Sequence, residues 1–280
     1  MGSVDIKAIQ EIPRRRPIER PIGFEGFWLK WGKTIVTVIN FSLFLTIWEI
    51  IAQQGWITRL LLPPFSEVIE ITIDLANKGV LWKHLSFTGG CFFGGFLAAI
   101  VTGIPIGLML GASKKLDLLL GPYIWALFAT PRLTLLPLIT VAMGFGWESK
   151  VFLIWIGAFF VIAINTWAGV KTVEKILIHA GLVFGANQFQ IFMKIIVPYT
   201  LPFIIVGLRI GVTRAIVVAV VSEMLISSKG MGYLIQRAVD AFKPEQLFSM
   251  IVILVIFSMT MVGLLRKIEE WVAPWRTVQV

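Results

Sequence analysis

The sequence predicts an all-α membrane protein with about six transmembrane helices. Of its 280 residues, 57% are hydrophobic and only 15% are charged, whereas a soluble domain carries about 25% charged residues. A bilayer core about 30 Å thick needs roughly 20 apolar residues of helix. Six segments of this kind follow one another along the chain, and they cover about 34–53, 86–111, 119–145, 150–170, 197–226 and 246–265.

The distribution of lysine and arginine predicts the orientation of these spans. With the N-terminus inside, the cytoplasmic segments hold 14 cations and the outer segments hold 7, and cytoplasmic loops are the ones that carry an excess of positive charge. We therefore expect a cytoplasmic tail with an interfacial stretch over 1–33, a transmembrane domain over 34–270 and a second cytoplasmic tail over 271–280. The same topology accounts for the net charge of +9, so nucleic acid is not an expected partner.

Several classes of function are disfavoured by what the sequence contains. Its single cysteine, Cys91, lies in an apolar run, and its two histidines, His84 and His179, are far apart, so we expect no metal site. The sequence holds neither a glycine-rich phosphate loop ending in Gly-Lys-Ser/Thr nor a Gly-x-Ser-x-Gly nucleophile turn. We therefore expect no catalytic residues and no cofactor in this chain, and a transport function would need an outside source of energy.

The segment 171–196 is less apolar than its neighbours but keeps a helical pattern. Its first half carries one apolar stripe, which Gly185 and Ala186 interrupt. Asn187 can then cap a second helix, with Gln190 at the capping-box position. This pattern predicts a helix–glycine–helix elbow on the cytoplasmic face. Because ordering the elbow costs entropy, its stripes need a cover, and both the protein's own helices and a separate docked protein could supply one.

Arg132 falls inside the third predicted span, and Arg209, Arg214 and Glu223 fall inside the fifth. A charge in mid-membrane costs roughly 2.5–3.5 kcal/mol, so such side chains face a cavity or pair with one another. One hypothesis is that Arg132 or Arg209 lines a path for an anion, and the other is structural pairing across helices. Asn165, near the end of the fourth span, either lines the path or forms a hydrogen bond between helices. The candidate path residues are Arg132, Asn165, Arg209 and Glu223.

Glycines recur every four residues in the second predicted span, at Gly103, Gly107 and Gly111. Small residues at this spacing let two helices approach closely. We expect this ridge to pack against another helix of the same chain, and a contact with a ligand is the alternative.

The elbow resembles the loop motif of bacterial ATP-binding-cassette (ABC) importer permeases. That motif reads Glu-Ala-Ala, three residues, Gly, nine residues, Ile, any residue, Leu, Pro. Four positions match it in register: Ala180, Gly185, Ile195 and Pro198. Three positions differ from the family's Glu, Ala and Leu: His179, Gly181 and Val197. In the family this loop is the coupling helix, which inserts into a cleft on the ATPase subunit. The resemblance therefore implies a set of ATPase-coupling residues: His179, Ala180, Gly181, Gly185, Ala186, Asn187 and Pro198.

Other stretches resemble the branch of these permeases that handles nitrate, sulfonates, taurine and bicarbonate. They follow one another from about residue 35 to 270, and together they are specific to the family but not to one substrate. The resemblance implies the type I ABC importer permease fold. Four of the stretches are Leu62-Pro63-Pro64-Phe65-Ser66-Glu67-Val68, Thr130-Pro131-Arg132, Gly207-Leu208-Arg209-Ile210-Gly211 and Gly230-Met231-Gly232-Tyr233.

For function, the resemblance implies a permease subunit surrounded by the lipid of a bacterial inner membrane. Two copies, as a homodimer, would form the path, and ABC ATPase subunits that bind ATP and Mg would dock on the elbows. An extracytoplasmic substrate-binding protein would deliver a small anionic nutrient to the outer loops, around 54–85 and 227–245. The expected substrates are nitrate, sulfonates or taurine, bicarbonate and organic acids, and the thiamine-precursor branch stays open. The alternatives are a self-contained secondary transporter and a membrane-embedded enzyme.

Overall fold

The fold is helical throughout residues 24–272, the part of the chain that this computed structural model describes, and no strand occurs there. The all-α prediction is confirmed. The predicted tails over 1–33 and 271–280 lie mostly outside the described residues. In chain order the helices are α1 Phe24–Gln53, α2 Phe65–Asn77, α3 Val80–Ala112, α4 Lys114–Ala129, α5 Leu136–Met143, α6 Trp147–Lys171, α7 Lys175–Val183, α8 Gln188–Ile226, α9 Met231–Asp240 and α10 Pro244–Val272.

Five of these helices are long and apolar enough to cross a membrane, namely α1, α3, α6, α8 and α10. The third predicted span, over about 119–145, is sharply bent, because α4 and the segment Arg132–Met143 meet at an angle of 87°. The break falls at Pro131, which has no backbone N–H and disfavours the helical conformation at Thr130, whose ψ is 131°. The described residues therefore contain five spans, or six if the bent pair counts as one.

A helix, a glycine turn and a second helix occupy the segment 171–196. α7 ends before Gly185, which turns the chain with a φ of 76°. The predicted capping box is present. The backbone N–H of Gln190 donates to Asn187 Oδ1 at 2.8 Å, and that of Asn187 donates to Gln190 Oε1 at 2.9 Å. The second helix does not stop at the predicted boundary near 197, because α8 continues without a break into the membrane-spanning region.

A widened, π-helical turn lies within α8 at Phe192–Ile196. Pro198 follows this turn and has no N–H to bond the carbonyl group four residues earlier, which favours a local departure from α-helical spacing. α8 therefore joins the elbow to the membrane-spanning region without a loop, but with a change of helical spacing between them.

The core is formed by α3, α6 and α8, and glycines set the distances between these helices. Glycines of α3 lie against α6, among them Gly95, Gly103, Gly107 and Gly111. A Cβ atom built on Gly107 would lie 2.5 Å from the carbonyl oxygen of Ala163. Gly207 and Gly211 of α8 also lie against α6, at Ile162. The expectation that the glycine ridge packs within the chain is confirmed.

The outer helices leave apolar side chains without protein cover. On α1, Val38 and Phe41 are 58% and 63% exposed, and on α10 Met259 is 70% exposed. Lipid tails are as apolar as these side chains, so their exposure to a bilayer carries no penalty. The apolar outer surface is therefore suited to contact with the lipid of a bilayer.

Gly107→Ala should destabilise the bundle, because the added methyl group would meet the backbone of α6 rather than a flexible side chain. We expect a loss of about 1–3 kcal/mol, the usual range for overpacking, measured as a lower midpoint of thermal unfolding in detergent. Gly89→Ala is the matched control on α3, since a Cβ atom there meets nothing within 4 Å. Equal midpoints for the two variants would contradict the close contact between α3 and α6.

Candidate functional site

Much of the elbow's apolar surface is left uncovered by the described residues. No residue of α7 is buried. Val183 at the end of α7 is 84% exposed, Phe184 is 89% exposed and Phe189 at the start of α8 is 72% exposed. Of the two covers considered for the elbow, the described helices of the protein itself do not provide one for these side chains.

The predicted coupling residues surround the tip of the elbow. His179 and Ala180 are exposed on α7, and Asn187 is exposed at the start of α8. Gly181 faces the second helix, where a Cβ atom built on it would lie 2.8 Å from Cδ1 of Ile195. Glycine at this position therefore lets α7 approach α8 more closely than alanine would. The remaining members are Gly185 and Ala186 in the turn and Pro198 just after the π-helical turn.

A cavity of about 430 Å³ lies between the break at Pro131, α6 and α8. This volume falls within the range of small-molecule pockets. We name it the arginine cavity, because two arginines and no carboxylate line it. Its walls are apolar side chains of α6 and α8, and its polar lining residues are Thr130, Arg132, Asn165 and Arg214.

Aromatic rings and a backbone carbonyl group hold Arg132 in place. Its Nη2 donates to the carbonyl oxygen of Phe128 at 3.2 Å. Its guanidinium carbon lies 5.2 Å from the centroid of the Phe128 ring and 5.9 Å from that of Phe160, so both rings contact the cation. Its Nε is buried without a hydrogen-bond partner. These contacts position the guanidinium group, but among the described residues no carboxylate neutralises it.

Arg214 and Asn165 complete the charged and amide lining of the arginine cavity. Arg214 is exposed on α8 and forms no ion pair with any residue in the described range. Asn165 is partly buried on α6, where its Nδ2 donates to the carbonyl oxygen of Val161 at 2.8 Å. The structure thus brings together two of the candidate path residues, Arg132 and Asn165, and adds Arg214 to them.

The other two candidate path residues, Arg209 and Glu223, lie outside the lining of the arginine cavity. Arg209 Nη2 pairs with Oε2 of Glu269 on α10 at 2.5 Å. Glu223 is fully buried and accepts hydrogen bonds from Thr88 Oγ1 at 2.8 Å and from the backbone N–H of Gly232 at 3.0 Å. Arg209 therefore joins α8 to α10, while Glu223 joins α8 to α3 and α9.

Arg214 and Arg209 lie on different faces of α8. Residues separated by three or four positions share one face of a helix. Ile210, Arg214 and Val217 have this spacing, and all three line the arginine cavity. Arg209 lies about 100° around α8 from Ile210. Arg209 has apolar residues at the same helical spacing, Ile205 and Val212, so the sequence around the two arginines does not show which of them faces the cavity.

The break in the third predicted span borders the same cavity, because Thr130 and Pro131 line it. Irregular backbone at membrane depth is tolerated only where it is buried in protein or lines a water-filled cavity. The helix break and the two arginines therefore belong to one site.

Comparison with known proteins relates the chain to transport permeases. Residues 103–277 match the family described as "Binding-protein-dependent transport system inner membrane component". The chain is 29% identical to the taurine transport system permease protein TauC of Escherichia coli (strain K12), over 88% of this chain and 94% of the relative. It is 30% identical to the formylaminopyrimidine transport permease protein ThiX of Halalkalibacterium halodurans, over 85% of this chain and 95% of the relative.

A solved structure shares the fold. The inward-facing MetNI methionine ABC transporter superposes with a TM-score of 0.61 over 69% of this chain and 95% of that chain, at 19% sequence identity. This match confirms the predicted type I importer permease fold. The family match and the two relatives favour the predicted permease role over a self-contained secondary transporter. The chain therefore belongs to the family of binding-protein-dependent transport system inner membrane components, as a permease subunit of an ABC transporter.

Proposed function

We propose that this chain forms the translocation path of a bacterial inner-membrane importer for a small anion, and that its elbow, 171–196, docks into a separate ATPase subunit. The observation that supports this proposal most directly is the apolar surface at Val183, Phe184 and Phe189, which the described residues leave exposed. On the cytoplasmic face, where we place the elbow, exposed apolar side chains of this size are typical of a protein interaction site.

Continuous helix connects the elbow to the arginine cavity. Phe189 and Arg214 both lie on α8, whose 39 residues extend over about 60 Å. On the other side, α7 begins only a few residues after the end of α6, the helix that carries Asn165. A displacement of the elbow by an ATPase would therefore move both helical walls of the cavity.

The remaining parts of the proposed assembly follow from the family. ABC ATPase subunits would bind ATP and Mg, a second copy of this chain would complete the path, and an extracytoplasmic binding protein would deliver the substrate. We place both termini in the cytoplasm, with tails over 1–33 and 271–280, because the inner segments hold 14 cations against 7 outside. The outer segments 54–85 and 227–245 would then offer the helices α2 and α9, rather than open loops, to the binding protein.

A sulfonate is the substrate class that we propose. Two arginines without a carboxylate line the arginine cavity, and a guanidinium group binds oxyanions through paired N–H donors. The taurine permease of E. coli, whose named substrate is an aminosulfonate, aligns with this chain over 94% of its length. The relative named for formylaminopyrimidine is equally similar, so the charge of the cavity, and not the degree of identity, favours the sulfonate.

Uptake by the reconstituted transporter tests the proposal as a whole. Proteoliposomes that contain the permease, its ATPase subunit and its binding protein should accumulate taurine only when ATP is supplied on the ATPase side. Nitrate, bicarbonate and formylaminopyrimidine are the comparison substrates, and uptake of one of these instead of taurine would refute the sulfonate assignment. Uptake by the permease alone on an ion gradient would contradict ATPase coupling and favour a secondary transporter.

Phe184→Ser should weaken binding of the ATPase subunit. Truncation of a buried aromatic anchor at an interface costs about 2 kcal/mol or more, so the dissociation constant should rise roughly thirtyfold, measured by titrating the ATPase subunit onto the purified permease. Phe145→Ser is the matched control, since this phenylalanine is 72% exposed but lies beside the opposite end of α6 from the elbow. Equal ATPase affinity in the two variants would argue against docking at the elbow.

Paired substitutions separate a structural role for Arg209 from a role in the path. If the pair with Glu269 is structural, R209Q and E269Q should each lower stability by up to about 1 kcal/mol, because Arg209 is half-exposed. The double variant should lose no more than E269Q alone, as measured by thermal unfolding. Uptake should fall in E269Q at least as much as in R209Q. A loss of uptake in R209Q alone would place Arg209 in the path.

A further inference from the structure

We propose that the arginine cavity is an intramembrane binding site for an alkanesulfonate, with Arg132 and Arg214 holding the sulfonate head and apolar side chains holding the alkyl stem. The inference rests on the proposed function, since a permease path is what would bring such an anion to this depth. It extends that function by assigning a substrate-binding step to the permease itself, in addition to the binding protein.

The two guanidinium groups form a positive site that the described residues do not compensate. Arg132 rests against aromatic rings and a carbonyl group, and Arg214 forms no ion pair in the described range. Two carboxylates of the same helical bundle are engaged elsewhere, because Glu223 accepts hydrogen bonds from α3 and α9 and Glu269 pairs with Arg209. An anion that enters the cavity therefore meets two cations without displacing a protein carboxylate.

The arginine cavity lies at membrane depth. Arg214 is about 18 Å from the end of α8 at Ile226, and Asn165 is about 9 Å from the end of α6 at Lys171, at 1.5 Å of rise per residue. Both distances place the site inside a hydrocarbon core about 30 Å thick. Charges at this depth are screened far less than charges at the surface, so the two arginines select strongly by charge.

The lining favours a head group with three oxygens and an apolar stem. Arg132 belongs to the segment after the helix break and Arg214 to α8, and both line the cavity, so a sulfonate bound between them would accept hydrogen bonds from both guanidinium groups. Val161, Ile210 and Val217 supply an apolar wall beside them. Nitrate and bicarbonate have no alkyl stem to bury against this wall.

Charge-selective thiol labelling in the assembled transporter tests the site. Val217→Cys places one thiol in the lining, where the native side chain is 48% exposed, while Cys91 is fully buried. Val206→Cys is the matched control on α8, since Val206 is 39% exposed and lies outside the lining. The complex with its ATPase is held in nanodiscs of dioleoylphosphatidylcholine. It is labelled with anionic sulfonatoethyl or cationic trimethylammonioethyl methanethiosulfonate.

The ratio of anionic to cationic labelling rates should be about tenfold higher for the V217C variant than for V206C, because nearby unit charges change the local concentration of an ion by this order. Adding R214Q to V217C should remove most of this preference. Propane-1-sulfonate should slow the labelling of V217C and leave that of V206C unchanged. Butylammonium, which has a similar stem and the opposite charge, should protect neither variant.

Substitution of Arg214 is a cleaner test of the positive charge than substitution of Arg132. R132Q removes contacts with Phe128 and Phe160, so it can disturb the helix break as well as the charge, whereas R132K keeps the charge. R214Q removes a side chain that has no ion pair in the described range. If R132Q does not assemble, R214Q alone tests whether an arginine causes the anion preference. An unchanged labelling ratio in an assembled V217C/R214Q complex would overturn the role of Arg214.

Three further outcomes would overturn the proposal. Equal labelling of V217C by the two reagents, in a complex that assembles and hydrolyses ATP, would refute the proposed anion site. It would leave the proposed permease role unaffected. Loss of propane-1-sulfonate protection when dioleoylphosphatidylglycerol replaces the neutral lipid would assign the cavity to a lipid headgroup. A preference for the cationic reagent would show that a carboxylate of a second copy occupies the cavity. Conversely, the expected anion preference in a chain that never binds an ATPase would support the site and refute the proposed coupling.

Discussion

Close packing of α3 against α6 is the constraint on which the rest of the structure depends. In lipid, helices gain nothing by hiding apolar side chains from their solvent, so they associate through van der Waals contact between closely approaching backbones. Gly103 and Gly107 permit that approach from α3, while Gly207 and Gly211 permit it from α8. α6 is thereby fixed between two helices, and it carries both a wall of the arginine cavity and the connection to the elbow.

Features that depend on neighbouring residues could be predicted from the sequence, and features that depend on tertiary contacts could not. Asn187 and Gln190 form a capping box because both partners lie within one turn. The break at Pro131 is different, because membrane helices tolerate proline, and Pro105 leaves α3 continuous. The apolar content of 119–145 is that of a single span, and it carries no information about the bend.

In the candidate site, too, only some of the residues could be predicted without knowledge of tertiary contacts. Arg132 and Asn165 could be found by the cost of polar groups in a span, and both line the arginine cavity. The same reasoning selects Arg209, whose partner Glu269 lies 60 residues further along the chain, so the pairing is not visible in the residues around it. The exposure of Phe184 is likewise a property of the folded chain, because an apolar stripe has the same spacing whether or not it is covered.

The π-helical turn at Phe192–Ile196 determines how the elbow and the arginine cavity are aligned around α8. Successive residues of an α-helix are separated by about 100° around the axis, and a π-helical turn accommodates an extra residue. The angle between Phe189 and Arg214 around the axis of α8 therefore depends on this turn. Conversion of the turn to regular α-helix would change this angle by about the rotation of one residue. The angle between the elbow and Arg214 is thus set at a turn some 20 residues before the arginine. An insertion or deletion in that turn would rotate the elbow relative to the arginine cavity, because Gly207 and Gly211 hold the later part of α8 against α6.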